Sequence, residues 1–214
     1  MQRRVIGRVV GALFLAAFLL YGFGNLLVNR VAGADDIVAS VAGGERQLAF
    51  GSLLMLANSV AVATIGVLVL QVLPRRRSIV ANGYLVARVF EAVMLSVGVL
   101  AVLLMVPAAE QNDAGLSQLL GDANGVAFAI AMIGLGIGSV PFCWVLLREE
   151  LAHRYLATLG IAGYAVFALG YVLELFGISA GLALGVPGGL FELIFGVTLL
   201  RQGFPAARNE ELVV

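Results

Sequence analysis

The chain has 214 residues, of which 61% are hydrophobic and 12% are charged, with a mean hydropathy of +1.03 and a formal net charge of zero. Soluble proteins carry roughly 25% charged residues, so this composition excludes a soluble globular domain and indicates a membrane protein. The thirteen cationic residues are all arginine and are dispersed along the chain, which excludes a basic face for nucleic acid.

Six apolar segments follow one another along the chain, and each is close to the ~20 residues needed to cross the core of a bilayer. The sequence therefore predicts an all-α polytopic membrane protein, a single domain that is a bundle of six transmembrane helices. The longest loops between the segments hold fewer than twenty residues, which leaves no room for a soluble domain. The segments cover residues 9–29, 48–73, 79–106, 123–147, 155–177 and 180–200.

The first segment also has features of a secretory signal, because a basic start and an apolar run precede the small residues of VAGADD. The apolar region of a signal peptide is about 7–15 residues long. The run in this chain is about 20 residues long, the length of a spanning helix. Its length favours an uncleaved first helix over a signal with a cleavage site.

The arginines outside the segments indicate the orientation of the helices, because cytoplasmic loops carry the excess of positive charge. The loops on one side hold only Arg30 and Arg46. We therefore expect both termini to face the cytoplasm. The exclusive use of arginine as the cation is typical of a GC-rich bacterial genome, and we expect the inner membrane of a bacterium. The side with both termini carries Arg3, Arg4, Arg8, Arg75, Arg76, Arg77, Arg148, Arg154, Arg201 and Arg208.

The third segment contains two charged residues, Arg88 and Glu91, in the stretch YLVARVFEAVML. At 1.5 Å per residue, Arg88 lies ~15 Å from the cytoplasmic face, near the middle of a ~30 Å core. The sixth segment runs in the opposite direction, and the same arithmetic places Glu192 ~13 Å from that face. We therefore expect Arg88 to meet Glu192, with Glu91 one turn from Arg88 on nearly the same side of its helix.

Other polar side chains can be placed by the same arithmetic. Tyr164 lies near the level of Arg88, and Asn58 and Glu174 lie in the outer half of the membrane. In the fifth segment Tyr171 and Glu174 follow Tyr164 at i+7 and i+10, which puts the three on one face of the helix. The candidate residues for binding or relaying a small solute or a proton are Arg88, Glu91, Glu192, Tyr164, Asn58 and Glu174.

The predicted charge cluster has two interpretations. A charged residue at the centre of a membrane helix costs ~2.5–3.5 kcal/mol on insertion scales, and such residues usually mark pathways, relays or binding sites. One arginine with two carboxylates leaves an excess negative charge or a bound proton, which favours binding or relay. The alternative is a structural or partner-binding membrane protein, in which the ion pair only fixes how the third and sixth helices pack.

Helix-breaking residues precede Glu192 in the sixth segment. Pro187 removes a backbone donor, and Gly188 and Gly189 weaken the following turn, so we expect a kink or a late start of this helix. Such a break resembles the interrupted helices that bind ligands in transporters. The alternative is that it marks only a sharp turn into the membrane.

Small residues line one side of the fourth segment at Ala127, Ala131, Gly134 and Gly138. A neighbouring helix can approach such a face closely. The pattern predicts close helix packing, and a homo-oligomer contact is the alternative use of the same face.

The sequence contains no signature of an enzyme. Its only histidine, His153, follows Glu149 and Glu150, and solvated interfacial charges explain this group better than a metal site does. Cys143 has no base close in sequence, and there is no G-x-S-x-G motif, Walker loop or dinucleotide fingerprint. An intramembrane enzyme acting on lipids would need a nucleophile or a metal. The sequence thus predicts no metal and no cofactor, and it favours a protein whose partners are the lipid bilayer and a small ligand.

Four stretches of the chain together resemble a known family: GRVVGALFLAAFLLYG, NGYLVARVFEAVML, LAHRYLATLGIAGY and GGLFELIFGVTLLRQGF. They are similar to a bacterial membrane family catalogued as domain of unknown function 4386, over essentially the whole chain. The most specific parts are the R-x-x-E of Arg88 and Glu91, the FEL that contains Glu192, and the terminal pair Gly203 and Phe204. The resemblance implies the six-helix topology and leaves the function open.

Overall fold

The computed structural model describes residues 3–205, and within them the chain forms six long α-helices joined by short connections. All six are long and apolar enough to cross a membrane, so the predicted all-α, multi-pass architecture is confirmed. Arg208, which contributed to the predicted orientation, lies outside the described residues. The helices are α1 (Arg3–Ala32), α2 (Ile37–Leu70), α3 (Ser78–Glu110), α4 (Ala114–Arg148), α5 (Arg154–Leu175) and α6 (Gly181–Gln202), with a short 3₁₀ turn at Arg75–Arg77 before α3.

Two helices begin well before their apolar segments. α2 starts at Ile37 rather than near residue 48, and α4 starts at Ala114 rather than near residue 123. Each start is capped by an aspartate: Asp36 Oδ1 accepts a hydrogen bond from Ala39 N (3.0 Å), and Asp113 Oδ1 accepts one from Leu116 N (2.8 Å). Such a cap satisfies a backbone amide that has no partner inside the helix. The apolar length therefore measures the membrane, whereas the helices continue beyond it with polar ends.

α6 begins at Gly181 and continues through Pro187. Of the two predicted alternatives, a kink or a late start, the late start is therefore wrong. The cause is a cap from the preceding helix, since Glu174 Oε2 accepts a hydrogen bond from Gly181 N at 2.7 Å. This acceptor satisfies the first free amide of α6, so the helix is already established six residues before the proline.

The six helices form a closed ring in chain order, in which each helix packs against the next and α6 packs against α1. Small residues set the closest approaches. A Cβ atom on Gly134 would collide with Phe90, and one on Gly138 would collide with Ala87. The small-residue face of α4 is therefore packed tightly against α3, as the sequence predicts.

The contact between α1 and α6 changes along its length, and we call its two parts the sealed half and the open half. Near the two termini, Gly7 lies against the backbone of Gly203, and Gly11 lies against the backbone at Gly196. Towards the other end of the bundle, a Cβ atom on Gly22 would meet nothing within 4 Å. The sealed half consists of Gly7, Gly11, Gly196, Gly203 and Phe204. The open half consists of Phe18, Gly22, Leu182, Gly185, Val186 and Gly189.

Candidate functional site

Arg88 lies in the first half of α3, with 1% of its side chain exposed. Each of its three guanidinium nitrogens donates a hydrogen bond: Nε to Tyr84 Oη (2.8 Å), Nη1 to Glu91 Oε2 (2.9 Å) and Nη2 to Glu192 Oε1 (2.8 Å). The first two partners are one turn away on α3, because residues three and four apart are neighbours on a helix. The third bond joins α3 to α6. The guanidinium also lies over the ring of Phe14 on α1, with Cζ 5.1 Å from the ring centroid.

Glu192 extends this network to a third helix. Its Oε1 also accepts a hydrogen bond from Tyr164 Oη on α5, at 2.6 Å. Tyr84 in turn stacks on Phe142 of α4, with ring centroids 4.1 Å apart. Aromatic side chains of α1 and α4 therefore support an ionic network that joins α3, α5 and α6. We call the set Tyr84, Arg88, Glu91, Tyr164 and Glu192 the charge cluster.

A cavity of about 340 Å³ reaches the charge cluster and is lined by residues from all six helices. Its volume lies within the range of roughly 300–1,000 Å³ that is typical of small-molecule sites. Most of the lining is apolar, and the charged residues that border it are Arg88, Glu91 and Glu192. An apolar pocket with a few convergent polar groups is the usual form of a ligand site.

Three polar groups that line the cavity have unused hydrogen-bonding capacity. Glu91 Oε1 and Glu192 Oε2 make no hydrogen bond with any residue in the range 3–205. Asn58 on α2 is 4% exposed, and its amide makes none with the described residues either. All three groups face the open space of the cavity. These three groups are therefore available to a ligand in the cavity.

The cluster also carries unbalanced charge. Arg88 contributes one positive charge, whereas Glu91 and Glu192 contribute two negative charges when both are ionised. Among residues 3–205, the cavity is bordered by no other charged side chain. Because an uncompensated charge is costly in a low-dielectric interior, a proton or a ligand must supply the missing positive charge.

The structure sorts the six candidate residues into three groups. Arg88, Glu91, Glu192 and Tyr164 are brought together in the charge cluster. Asn58 lines the same cavity without touching them through a hydrogen bond. Glu174 caps α6 and does not border the cavity.

Sequence reasoning missed two supporting residues of the cluster, Tyr84 and Phe14. Tyr84 had a usable signal, because it precedes Arg88 by four residues and so lies beside it on the helix. Phe14 had none, because its neighbours one turn away on the first helix, Val10, Gly11, Ala17 and Phe18, are all apolar and do not indicate which side faces the arginine.

The interfacial charges near the termini form a separate group. Glu149 accepts hydrogen bonds from Arg76 and from Arg77 Nε, the latter at 2.8 Å, and Arg77 lies over the ring of Trp144. Partial burial alone would raise the pKa of the Glu149 carboxyl, but the hydrogen bonds from the two arginines outweigh it and hold the pKa below its usual range. In the described part of the chain, no group of three His, Cys, Asp or Glu side chains could hold a metal ion.

Comparison with known proteins gives one match. The family described as "Domain of unknown function (DUF4386)" matches residues 9–203. No curated protein and no solved structure matches the chain. The matched range contains the charge cluster, the lining of the cavity and most of the α1–α6 contact.

Proposed function

Because the chain belongs to the DUF4386 family, which is described as a domain of unknown function, we propose its function from the site: the charge cluster binds or relays a small solute or a proton within the membrane. The observation that carries this proposal is the cavity, which ends on two carboxylates that share one arginine and each keep one free oxygen. Such an arrangement can exchange a proton or hold a ligand without breaking the bonds that Arg88 makes.

The cavity argues against a purely architectural role for the cluster. Protein interiors are close-packed, whereas side chains of the described residues leave a space beside the charge cluster. A cluster that only positioned α6 would need no such space. The free oxygens of Glu91 and Glu192 and the amide of Asn58 support the same proposal, because they border the cavity and can bond to a ligand there.

We propose an orientation for this function from the distribution of arginines, with both termini in the cytoplasm of a bacterium and the chain in its inner membrane. The sealed half of the α1–α6 contact lies at the end of the bundle that is nearer to the two termini. In this orientation the cavity reaches the charge cluster from the outer half of the membrane, and the sealed half separates the cluster from the cytoplasm.

The second candidate function is a structural or partner-binding protein. It is favoured by one observation: two bonds within α3 hold the guanidinium of Arg88 in place, and the third bond ties α3 to Glu192 on α6. It predicts that single substitutions at the cluster lower stability and change neither binding nor flux. The proposed function predicts a change in binding or proton exchange in variants that remain folded.

Infrared difference spectroscopy of the reconstituted protein tests the proposal directly, because it detects the proton on a buried carboxyl. Between acid and alkaline pH we expect carboxyl bands that are lost or altered in Glu192→Gln and in Glu91→Gln. The matched control is Glu174→Gln, which keeps an acceptor at the cap of α6 and removes a carboxyl outside the cavity.

Flux measurements in proteoliposomes complete this test. We expect proton or solute flux that Glu192→Gln and Arg88→Ala reduce at least tenfold and that Glu174→Gln leaves unchanged. If the spectra and the flux of folded Glu192→Gln and Glu91→Gln both equal those of the wild type, the cluster only fixes helix packing.

A further inference from the structure

We infer that the ligand of the charge cluster is an apolar organic cation, and that it reaches the cavity sideways from the bilayer, between α1 and α6. This inference rests on the proposed function and specifies the class of ligand. Three observations carry it: the position of the opening, the aromatic lining, and the polar groups that remain unpaired.

The opening lies in the open half of the α1–α6 contact. The cavity is lined there by Phe18 and Gly22 on α1 and by Leu182, Gly185 and Val186 on α6. Leu182 is 84% exposed and Val186 is 62% exposed on the outside of the ring. In a membrane protein such apolar surface at the depth of a spanning helix faces lipid. The opening is therefore apolar, and it admits a molecule that is dissolved in the bilayer.

A second cavity, at the end of the bundle away from the termini, is polar and does not provide an aqueous route to the first. It is bordered by Asn29, Asp35, Gln118 and Asp122, among others. The two cavities share no lining residue. The inferred route to the charge cluster is therefore the apolar opening between α1 and α6.

Aromatic rings line the path from the opening to the charge cluster. Tyr21 stacks on Phe128 with centroids 5.0 Å apart, Phe128 meets Tyr171 edge-on at 5.5 Å, and Tyr171 meets Phe167 at 5.1 Å. All four rings border the cavity. Aromatic faces attract cations, and most strongly those with apolar substituents that are easily desolvated. The walls therefore suit an organic cation better than a neutral or anionic lipid.

The polar groups at the inner end of the cavity also favour a positively charged ligand. Three of the five N–H donors of Arg88 already bond to Tyr84, Glu91 and Glu192, and an anion at the other two would lie beside two carboxylates. The unused groups are carboxylate oxygens of Glu91 and Glu192 and the amide of Asn58. An organic cation would balance the excess negative charge, and it would compete with a proton for the same position.

Titratable groups on several helices face this position, and they determine how binding responds to pH. Besides Arg88, Glu91 and Glu192, they are the phenols of Tyr21, Tyr84, Tyr164 and Tyr171 and the thiol of Cys143. Phenols and thiols are neutral over the pH range in which carboxyl groups titrate. The two carboxyls are therefore the groups through which acid would weaken the binding of a cation.

Benzyltrimethylammonium is a suitable probe, because its carbon isostere, 2,2-dimethylpropylbenzene, has the same shape and no charge. Binding of the labelled cation to the full chain in nanodiscs is measured by equilibrium dialysis, with the isostere as a competitor. We expect the isostere to compete at least tenfold more weakly than unlabelled cation. We also expect Glu192→Gln and Glu91→Gln to weaken cation binding at least tenfold, while Glu174→Gln leaves it unchanged.

The route is tested with a tryptophan at the opening. Gly22→Trp can be accommodated because nothing lies within 4 Å of its Cβ position, and the control Gly125→Trp introduces the same side chain at an equally open, exposed position on α4 that does not border the cavity. We expect Gly22→Trp to slow association of the cation at least tenfold and Gly125→Trp to leave it unchanged. Association of the cation with Gly22→Trp at the wild-type rate would exclude access between α1 and α6.

The remaining outcomes separate this inference from the proposed function. Equal competition by the cation and its isostere, or cation binding that is insensitive to both glutamine substitutions, overturns the inference about charge. If the carboxyl bands of Glu91 and Glu192 respond to pH but the cation does not bind, the proposed function stands and the inference fails. If neither is observed, both fail.

Discussion

Glycines occur in both halves of the α1–α6 contact, but their surroundings are opposite. In the sealed half, Gly7 and Gly11 lie against the backbone of α6, and there is no room for a Cβ atom. In the open half, a Cβ atom on Gly22 would have nothing within 4 Å, and one on Gly189 would meet only the ring of Phe18, at 3.8 Å. A glycine in a membrane helix therefore indicates close packing or open space, and the residues on the facing helices decide which.

Large side chains account for the difference between the halves. Beside the sealed half, Phe195 packs edge-on against Phe14 at 5.9 Å and against Phe204 at 6.2 Å, which fills the interior behind the glycines. Beside the open half, Tyr21 and Phe128 stack on each other and line a cavity that remains. The charge cluster lies at the boundary, because Arg88 contacts the ring of Phe14 and Glu192 precedes Gly196 by one turn. The sealed half therefore closes the inner end of the cavity.

The largest effect is expected at this boundary, from Arg88→Met. The substitution removes the only cation of the cluster and leaves the buried carboxylates of Glu91 and Glu192 without an opposite charge, and breaking a buried ion pair in this way costs ~3–5 kcal/mol. The free energy of unfolding, measured in mixed micelles, should fall by this amount. The triple variant Arg88→Met, Glu91→Leu, Glu192→Leu should regain most of the loss, since it leaves no buried charge. A triple variant that is as unstable as the single one would show that packing, rather than unpaired charge, causes the effect.

The next largest effect on stability is expected from a glycine substitution in the sealed half, compared with the same substitution in the open half. Gly11→Leu places side-chain atoms against the backbone at Gly196 and Leu200, and overpacking of this kind costs ~1–3 kcal/mol or more. Gly22→Leu, on the same helix but in open space, should change stability by less than ~0.5 kcal/mol. Unfolding of the two variants under identical conditions measures the difference. Equal losses would mean that the open half closes in the membrane, and the comparison between the halves would then be wrong.

A smaller effect, of the opposite sign, is expected inside the open half. Asn58 lines the cavity without a hydrogen bond among the described residues, and removing an unpaired buried amide can stabilise a protein by ~1 kcal/mol. Asn58→Leu should therefore raise the midpoint of thermal unfolding and weaken binding in the cavity. A lower midpoint would indicate that the amide has a partner, such as bound water, in the membrane-embedded protein.

The spans and the depth of their charged residues could be predicted from the sequence, but the rotation of each helix could not. Hydropathy identified six spans, and arithmetic on depth placed Arg88 and Glu192 at one level, where the structure has them 2.8 Å apart. Depth follows from residue number because the rise per residue is constant. Rotation about the helix axis does not follow, because helices that are apolar on every side have no pattern that indicates which side faces inward. The open half, the aromatic lining and the place of Phe14 all depend on rotation.

Helix ends were predicted poorly for a different reason. Asp36 and Asp113 lie outside the predicted apolar segments, and each caps a helix that extends beyond its segment. Glu174 was placed on one face with Tyr164 and Tyr171, and its carboxylate instead binds Gly181 N at the start of α6. A free amide at a helix start attracts a nearby carboxylate. The carboxylate of Glu174 therefore bonds to the free amide of α6, and helical periodicity alone does not indicate this contact.

The smallest effect on stability is expected outside the α1–α6 contact, at Glu149. It tests whether the end of the bundle nearer the termini can be destabilised without a change in the cavity. The folded-state pKa of Glu149 is held below its usual value by Arg76 and Arg77. The pKa of an unfolded glutamate is about 4.3. Above this pH, a carboxyl whose folded-state pKa is lowered contributes its full stabilisation. That stabilisation is lost as the pH falls through the folded-state pKa. Glu149→Gln should therefore lower stability slightly at neutral pH and show a smaller further loss in acid than the wild type. Unfolding measured from neutral to acid pH tests this prediction. The control is Glu110→Gln, at an exposed position at the end of α3 that is far from Arg76 and Arg77.

Because the ion pair lies away from the α1–α6 contact, cation binding at neutral pH should be the same in Glu149→Gln and the wild type, and reduced binding would mean that the two ends of the bundle are coupled.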